Sequence, residues 1–177
     1  MPYAEIITDD GGPPLSPLRG YKRCLQAIPP SVRHLVVVQD DVVVASSFRE
    51  RIERIAAERP NEVVILCVCG VRNRTCKWFL KALWAKEPYT NIAHGDYHHC
   101  IGVLWPKAKA EEFLAWMETY TKLTTSDDAA FGTWAMQTQQ QVIACVPCIV
   151  QHDDTFKSVM RLVGQGGTAR RAIAFSD

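Results

Sequence analysis

Three short apolar runs constrain the fold of this chain more than any other feature: HLVVV (34–38), EVVILCVCG (62–70) and QVIACVPCIV (141–150). Each is rich in β-branched residues and reads as a buried strand, the last one interrupted at Pro147. Segments with helical spacing lie between them. FRERIERIAAER (48–59) aligns Phe48, Ile52, Ile55 and Ala56, with Ser46 or Ser47 placed to cap it. KAKAEEFLAWMETYT (107–121) aligns Phe113, Leu114, Met117 and Tyr120. Strands that alternate with helices predict an α/β sheet.

The remaining elements follow from the same cues. AEIIT (4–8) reads as a first strand stopped by the loop DDGGPPLSP (9–17). RGYKRCLQAI (19–28) is a helix with Tyr21, Leu25 and Ile28 on one face, ended by Pro29-Pro30. VRNRTCKWFLKALWAKEP (71–88) is partly helical, DYHHCIGVLWP (96–106) contains a strand, and SDDAAFGTWAMQTQ (126–139) is a capped helix start. With 177 residues and no visible linker, the chain is expected to form a single domain, with residues 151–177 as a basic C-terminal segment.

Composition narrows the function classes. A net charge of +1 excludes a polyanion-binding footprint spread over the whole surface, though not a local patch. No apolar run approaches the roughly 20 residues of a membrane span, and MPYAEIITDDGG lacks the regions of a signal peptide. A cytoplasmic location is expected, with the seven cysteines as reduced thiols.

Three polar stations interrupt this apolar pattern. The first is HLVVVQDDVVV, where Asp40 and Asp41 stand side by side at the end of a strand. Neighbouring carboxylates repel, and their desolvation is costly. A divalent cation would neutralise them, and oxygen ligands suit Mg2+ or Mn2+, which commonly retain phosphate oxygens in their shell. The plainer reading is a turn in which one Asp caps the next segment. The second station is SDDAAFGTW. Ser126 or Asp127 can cap the helix, and a carboxylate held there is also placed to take a proton from an attacking hydroxyl. The third is QHDDTFKS, where His152 is either a neutral imidazole ligand or a polar loop residue.

In order and spacing, these stations resemble the GT-A-fold, nucleotide-sugar-dependent glycosyltransferases. VVVQDDVVVASSF resembles their metal-binding strand end, SDDAAFGTW their later acidic segment, and VPCIVQHDDTFKS their final strand with the His that completes the metal shell. HHCIGVLWPKAKAEEFLAWM is similar to the acceptor-side stretch, and RGYKRCLQAI to the helix that helps position the nucleotide diphosphate. The compact form resembles small bacteriophage-type enzymes that glycosylate hydroxymethylated pyrimidines in DNA.

The resemblance implies a compact, Rossmann-like GT-A fold with a mixed, mostly parallel sheet flanked by helices. It implies a Mn2+ or Mg2+ cofactor on Asp41 and His152 and a nucleoside diphosphate sugar, such as a UDP-sugar, as donor. Gln39 stands where the family motif has its first acid, so Asp40 supports Asp41 or contacts the ribose. Arg19, Lys22 and Lys157 are the cationic helpers, and Asp9 and Asp10 are assigned to the base pocket. Asp128 is the expected catalytic base of an inverting transfer, with Asp127 as second choice. The acceptor is a hydroxymethylated base in phage DNA, in host cytoplasm, or else a saccharide or small molecule. Oligomeric state is unreadable from the residues.

Two further patterns stand beside this one. The tail carries Lys157, Arg161, Arg170 and Arg171 against one acid, suited to a diphosphate or a phosphate backbone, or simply to solvent. RNRTCKW (72–78) is a second basic–aromatic cluster in which Trp78 either stacks on a base or sugar or packs in the core. Competing functions are a nucleotidyltransferase, whose phosphate loop would fall on DDGGPPLSPLRG, and a zinc module built on CVC (67–69), Cys76, His98-His99-Cys100 and the C-x-x-C at 145–148. A non-catalytic binding protein would leave the three stations unexplained.

Overall fold

The computed structural model describes residue 7 and residues 17–69, 74–93, 95–96, 101–120, 126–153 and 172–176. In chain order its elements are α1 (Pro17–Gln26), β1 (His34–Val38), β2 (Val42–Val44), α2 (Phe48–Glu58), β3 (Val63–Ile65), α3 (Arg74–Trp84), β4 (Tyr89–Asn91), β5 (Gly102–Pro106), α4 (Lys107–Thr119), α5 (Asp127–Gln137), β6 (Val142–Cys145) and β7 (Val150–His152). The predicted first strand at 4–8 and the glycine-rich part of the tail lie outside the described residues, a single position apart.

Among the described residues five strands form a mixed sheet in the order β1-β5-β3-β6-β4, and β2 pairs with β7 in a separate ribbon. The α/β class is as expected, but the sheet is not mostly parallel. Among the described residues only β3 and β6 are parallel neighbours, whereas β1–β5, β3–β5 and β4–β6 are antiparallel. The reason lies in the connections. Helix α3 does not return the chain to the start of the sheet, so β4 begins where β3 stopped and runs against it. β5 runs in the same reversed direction, antiparallel to β3. As a result β1, β3 and β6 point the same way and end at a common edge.

Side-chain alternation along the strands divides the interior into two layers. Val63, Ile65, Val103, Trp105, Val142 and Ala144 face α1, α3, α4 and α5, while Val64, Leu104 and Ile143 face α2. Covering on both sides explains why the β3 run is apolar without a break, since all of Val63, Val64 and Ile65 are fully buried. β1 departs from the buried strand expected there. Among the described strands it lies at the sheet edge, and only Val37 is buried while Val38 is 41% exposed.

An aromatic cluster fixes the helical layer. The Trp105 ring stacks on Phe113 at 5.4 Å, meets Phe131 edge-on at 5.4 Å, and donates its indole N–H to the Tyr21 hydroxyl at 2.8 Å. Phe131 and Trp134 both belong to α5, so this packing sets the position of that helix. Ser126 caps α5 as expected, its hydroxyl accepting from the Ala129 N–H at 3.3 Å. Ser47 occupies the cap position of α2 but makes no side-chain capping bond. Helix α3 is capped from a distance, with the Asp96 carboxylate accepting from both the N–H and the hydroxyl of Thr75.

Among the described residues no helix is long and apolar enough to cross a membrane.

Candidate functional site

The apolar run around the paired acids is not one strand. After Val38 the chain leaves the main sheet, bends through Asp40 and Asp41, and continues as β2 in the ribbon. The bend lies at the edge where β1, β3 and β6 end, the side on which open α/β sheets collect ligands. Asp40 is exposed and Asp41 is half-buried.

The ribbon brings the third station to the first. Val42 pairs with His152 in the antiparallel register, and the Asp153 N–H donates to the Asp41 carbonyl at 2.7 Å. This register sets the His152 Nε2 2.9 Å from the Asp41 Oδ2. His152 is itself buried, and the second carboxylate oxygen of Asp41, Oδ1, is buried without a hydrogen-bond partner among the described residues. An orphaned carboxylate oxygen is costly to bury, because it has lost its water and gained nothing in return.

β7 is held in place from the main sheet. The Leu66 carbonyl, just past β3, accepts from the N–H groups of Ile149 and Val150, at 3.0 and 3.3 Å. Gly102, at the start of β5, makes room for the crossing. A Cβ there would stand 3.0 Å from Val150 Cγ2 and 3.2 Å from Cγ1, a fit that a β-branched neighbour relieves poorly.

The second station joins through Gln39. Its side-chain amide donates to the Asp127 Oδ2 at 3.2 Å, and its backbone N–H donates to Ile101. The Asp127 Oδ1 accepts from the Asp128 N–H at 2.9 Å. Asp127 is only 7% exposed, and burial, followed by the neighbouring charge of Asp128, raises its pKa above the ordinary aspartate value. The helix-start bonds and the Gln39 amide oppose that shift without cancelling it. Asp128 is half-exposed on the first turn of α5. At position 39 a neutral donor is chemically apt: an aspartate there would place a further negative charge against a carboxylate that is already hard to ionise.

Not every predicted residue reaches this place. Lys22 on α1 pairs with Glu118 of α4. Arg19 lies one turn earlier on α1, a helix that packs against α4, α5 and β1. Asp9, Asp10 and Lys157 lie outside the described residues, as do His98, His99, Cys100 and the basic side chains of the tail. The sequence reading gave Gln39, Asp153 and Gly102 no function. The one available signal was the adjacency of Gln39 and Asp153 to the stations themselves.

Thiols occupy the neighbouring stretch of the same edge. Cys67 and Cys69 follow β3, with their sulfurs 3.8 Å apart, and Cys148 follows β6 and accepts from the Val68 N–H at 3.2 Å. Hydrogen bonds with Cys148 and Cys69, reinforced by burial, push the Cys67 pKa well up. Burial raises Cys145 as well. The segment at 172–176 closes over them, with Ile173 donating to the Val68 carbonyl, Cys148 to that of Ala174, and Ser176 to that of Cys148. Among the described residues no group of three or more His, Cys, Asp or Glu side chains converges as a metal shell.

No protein-family model matches the sequence, and no curated protein is significantly similar to it.

Proposed function

We propose that this chain is a metal-dependent glycosyltransferase of compact GT-A type, moving a sugar from a nucleoside diphosphate sugar to an acceptor hydroxyl with inversion. The observation that carries this reading is the contact between Asp41 and His152 beside the Gln39–Asp127 bond. Three stations far apart in sequence meet at one sheet edge, and each contributes a group that such a transfer needs.

The residues fit a divalent cation. The Asp41 carboxylate and the His152 imidazole, 2.9 Å apart and in contact with each other, are the oxygen and nitrogen donors that would hold the ion. The buried Asp41 Oδ1 is a further oxygen in want of a positive partner. Two protein ligands suffice for Mn2+ or Mg2+ when donor phosphates and water complete the shell. Held by Asp41 and His152, such a cation would supply positive charge against the departing diphosphate.

The rest of the chemistry falls to the chain. Asp127 receives the acceptor's proton as the hydroxyl oxygen bonds to the anomeric carbon and the bond to the diphosphate breaks. Its raised pKa makes it a stronger base than an ordinary aspartate. Gln39 aims the carboxylate, and Asp40, which is exposed, would meet the donor ribose. Asp127 is favoured over Asp128 because it is Asp127 that the Gln39 amide ties to the acidic bend. The acceptor is a hydroxymethylated base in DNA or else a saccharide or small molecule.

A thermal-shift screen of nucleoside diphosphate sugars with and without Mn2+ tests the reading. A donor at about a hundred times its Kd adds about 2.7 kcal/mol, or roughly 5–10 °C in a chain of this size. The expected shift requires sugar nucleotide and Mn2+ together and disappears in His152→Ala. A screen without such a pair, or a shift that survives His152→Ala, overturns the proposal.

A further inference from the structure

Helix α3 presents a surface that the transfer reaction does not use. Trp84 is 82% exposed, Trp78 42% and Leu80 39%, so the Trp78 side chain does not pack in the core as one sequence reading had it. Buried Phe79, Cys76 and Ala82 hold the opposite side of the helix on the sheet. Lys77 and Lys81 are exposed as well, and no acidic residue occurs from Arg74 to Lys86. The face is therefore positive in a chain whose overall charge is almost balanced.

The arrangement around the helix is specific. At about 100° per residue, Lys77 and Lys81 occupy the middle of the outward face. Trp84 and Leu80 fall on one flank and Trp78 on the other. A helix lying in a membrane surface has the opposite order, with apolar side chains at the centre and cations at the rims. A cationic spine between two indole flanks suits a phosphate backbone that runs along the helix and turns its bases to either side. Past Trp84 the chain borders an open cleft of about 280 Å3, lined by Leu83, Lys86, Glu87, Pro88, Val146 and Pro147.

We propose that the outward face of α3 binds single-stranded nucleic acid, with phosphates on Lys77 and Lys81 and bases stacked on Trp78 and Trp84. This does not rest on the glycosyltransferase reading. α3 packs against β4, the edge strand opposite β1, so the face is separate from Asp41, His152 and Asp127.

The test is fluorescence anisotropy of a labelled oligothymidylate titrated with the full chain over a salt series. Binding at low salt should weaken as salt rises, with a log–log slope of about −1.4, from about −0.7 for each of two phosphates. Trp84→Ala should weaken it about tenfold, the loss of one stacked base. Lys77→Glu combined with Lys81→Glu should remove it. All three positions are exposed, and unchanged melting curves identify folded variants. The proposal is overturned if the oligonucleotide does not bind at low salt, or if these variants bind like the parent. Binding of phosphatidylserine vesicles instead of the oligonucleotide would assign the face to a membrane and overturn it equally.

Discussion

Over β1 the common sheet edge ends in carboxylates and an imidazole; over β3 and β6 it ends in thiols. Both groups are polar or polarisable, and both sit where the same three strands stop. Water access separates them. Asp40 is exposed and the Asp41 side chain retains 24% of its surface, whereas Cys67 and Cys148 retain none. In the dry group burial and hydrogen bonding keep Cys67 and Cys145 protonated, which makes them poor nucleophiles and poor ligands. In the wetter group the bend stays open on one side while β7 and α5 hold its partners. One half of the edge is therefore built for packing, and the other for charge.

The largest effect is expected at Asp127. Asp127→Asn keeps the shape but removes the base, and should lower transfer about a hundred- to ten-thousand-fold while donor-induced stabilisation persists. Asp128→Asn should cost far less, and equal losses in the two variants would break the assignment. The raised Asp127 pKa also links activity and stability in opposite directions. Burial favours the protonated form in the folded state, so its stabilising contribution is present below the unfolded value and lost as pH rises through the folded one. Transfer requires the ionised form and rises over that same interval. At neutral pH, Asp127→Asn should therefore raise Tm, by about 2–4 °C if about 1 kcal/mol of strain is relieved.

A cross-over between the two regions comes next. Cys67→Ser places a hydroxyl in the dry cluster and should cost about 1–3 kcal/mol with transfer within twofold of the parent. Asp41→Ala should do the reverse, abolishing the Mn2+-dependent shift and changing stability by no more than about 1 kcal/mol, because losing the buried, unpartnered Oδ1 offsets losing the contact with His152. Paired melts and assays check both, and a parallel loss in each variant would show that the edge acts as one unit.

A graded effect sharpens the boundary. Gly102→Ala presses on Val150 two residues before His152, at a cost of about 1–3 kcal/mol. Donor affinity should fall several-fold through the displaced imidazole, which calorimetric titration would measure. Unchanged affinity would mean that β7 yields without moving His152.

Much of the fold was legible because local pattern places its elements, even where burial differs, as in the half-exposed β1. The HLVVV strand, the helix from Phe48 and the helix from Lys107 form where their periodicity places them. The short strands were harder. Tyr89–Asn91 has no apolar alternation, and Val42–Val44 gains its strand character from a partner at the far end of the chain. Strand direction was also hidden, since alternation with helices does not reveal which crossover fails to return. For the site, the stations were visible as acids and a histidine in apolar surroundings. Their mutual contacts were not, because ribbon register and the reach of the Gln39 amide are tertiary facts.

The ribbon has a consequence for how the molecule comes into being. Asp41 leaves the ribosome early and His152 late, and the loop between them encloses most of the sheet. The pairing must wait until β3, β5 and β6 have assembled a surface for β7 to cross. A growing polypeptide would thus acquire its core before its chemistry, and no half-made chain would hold the two groups together.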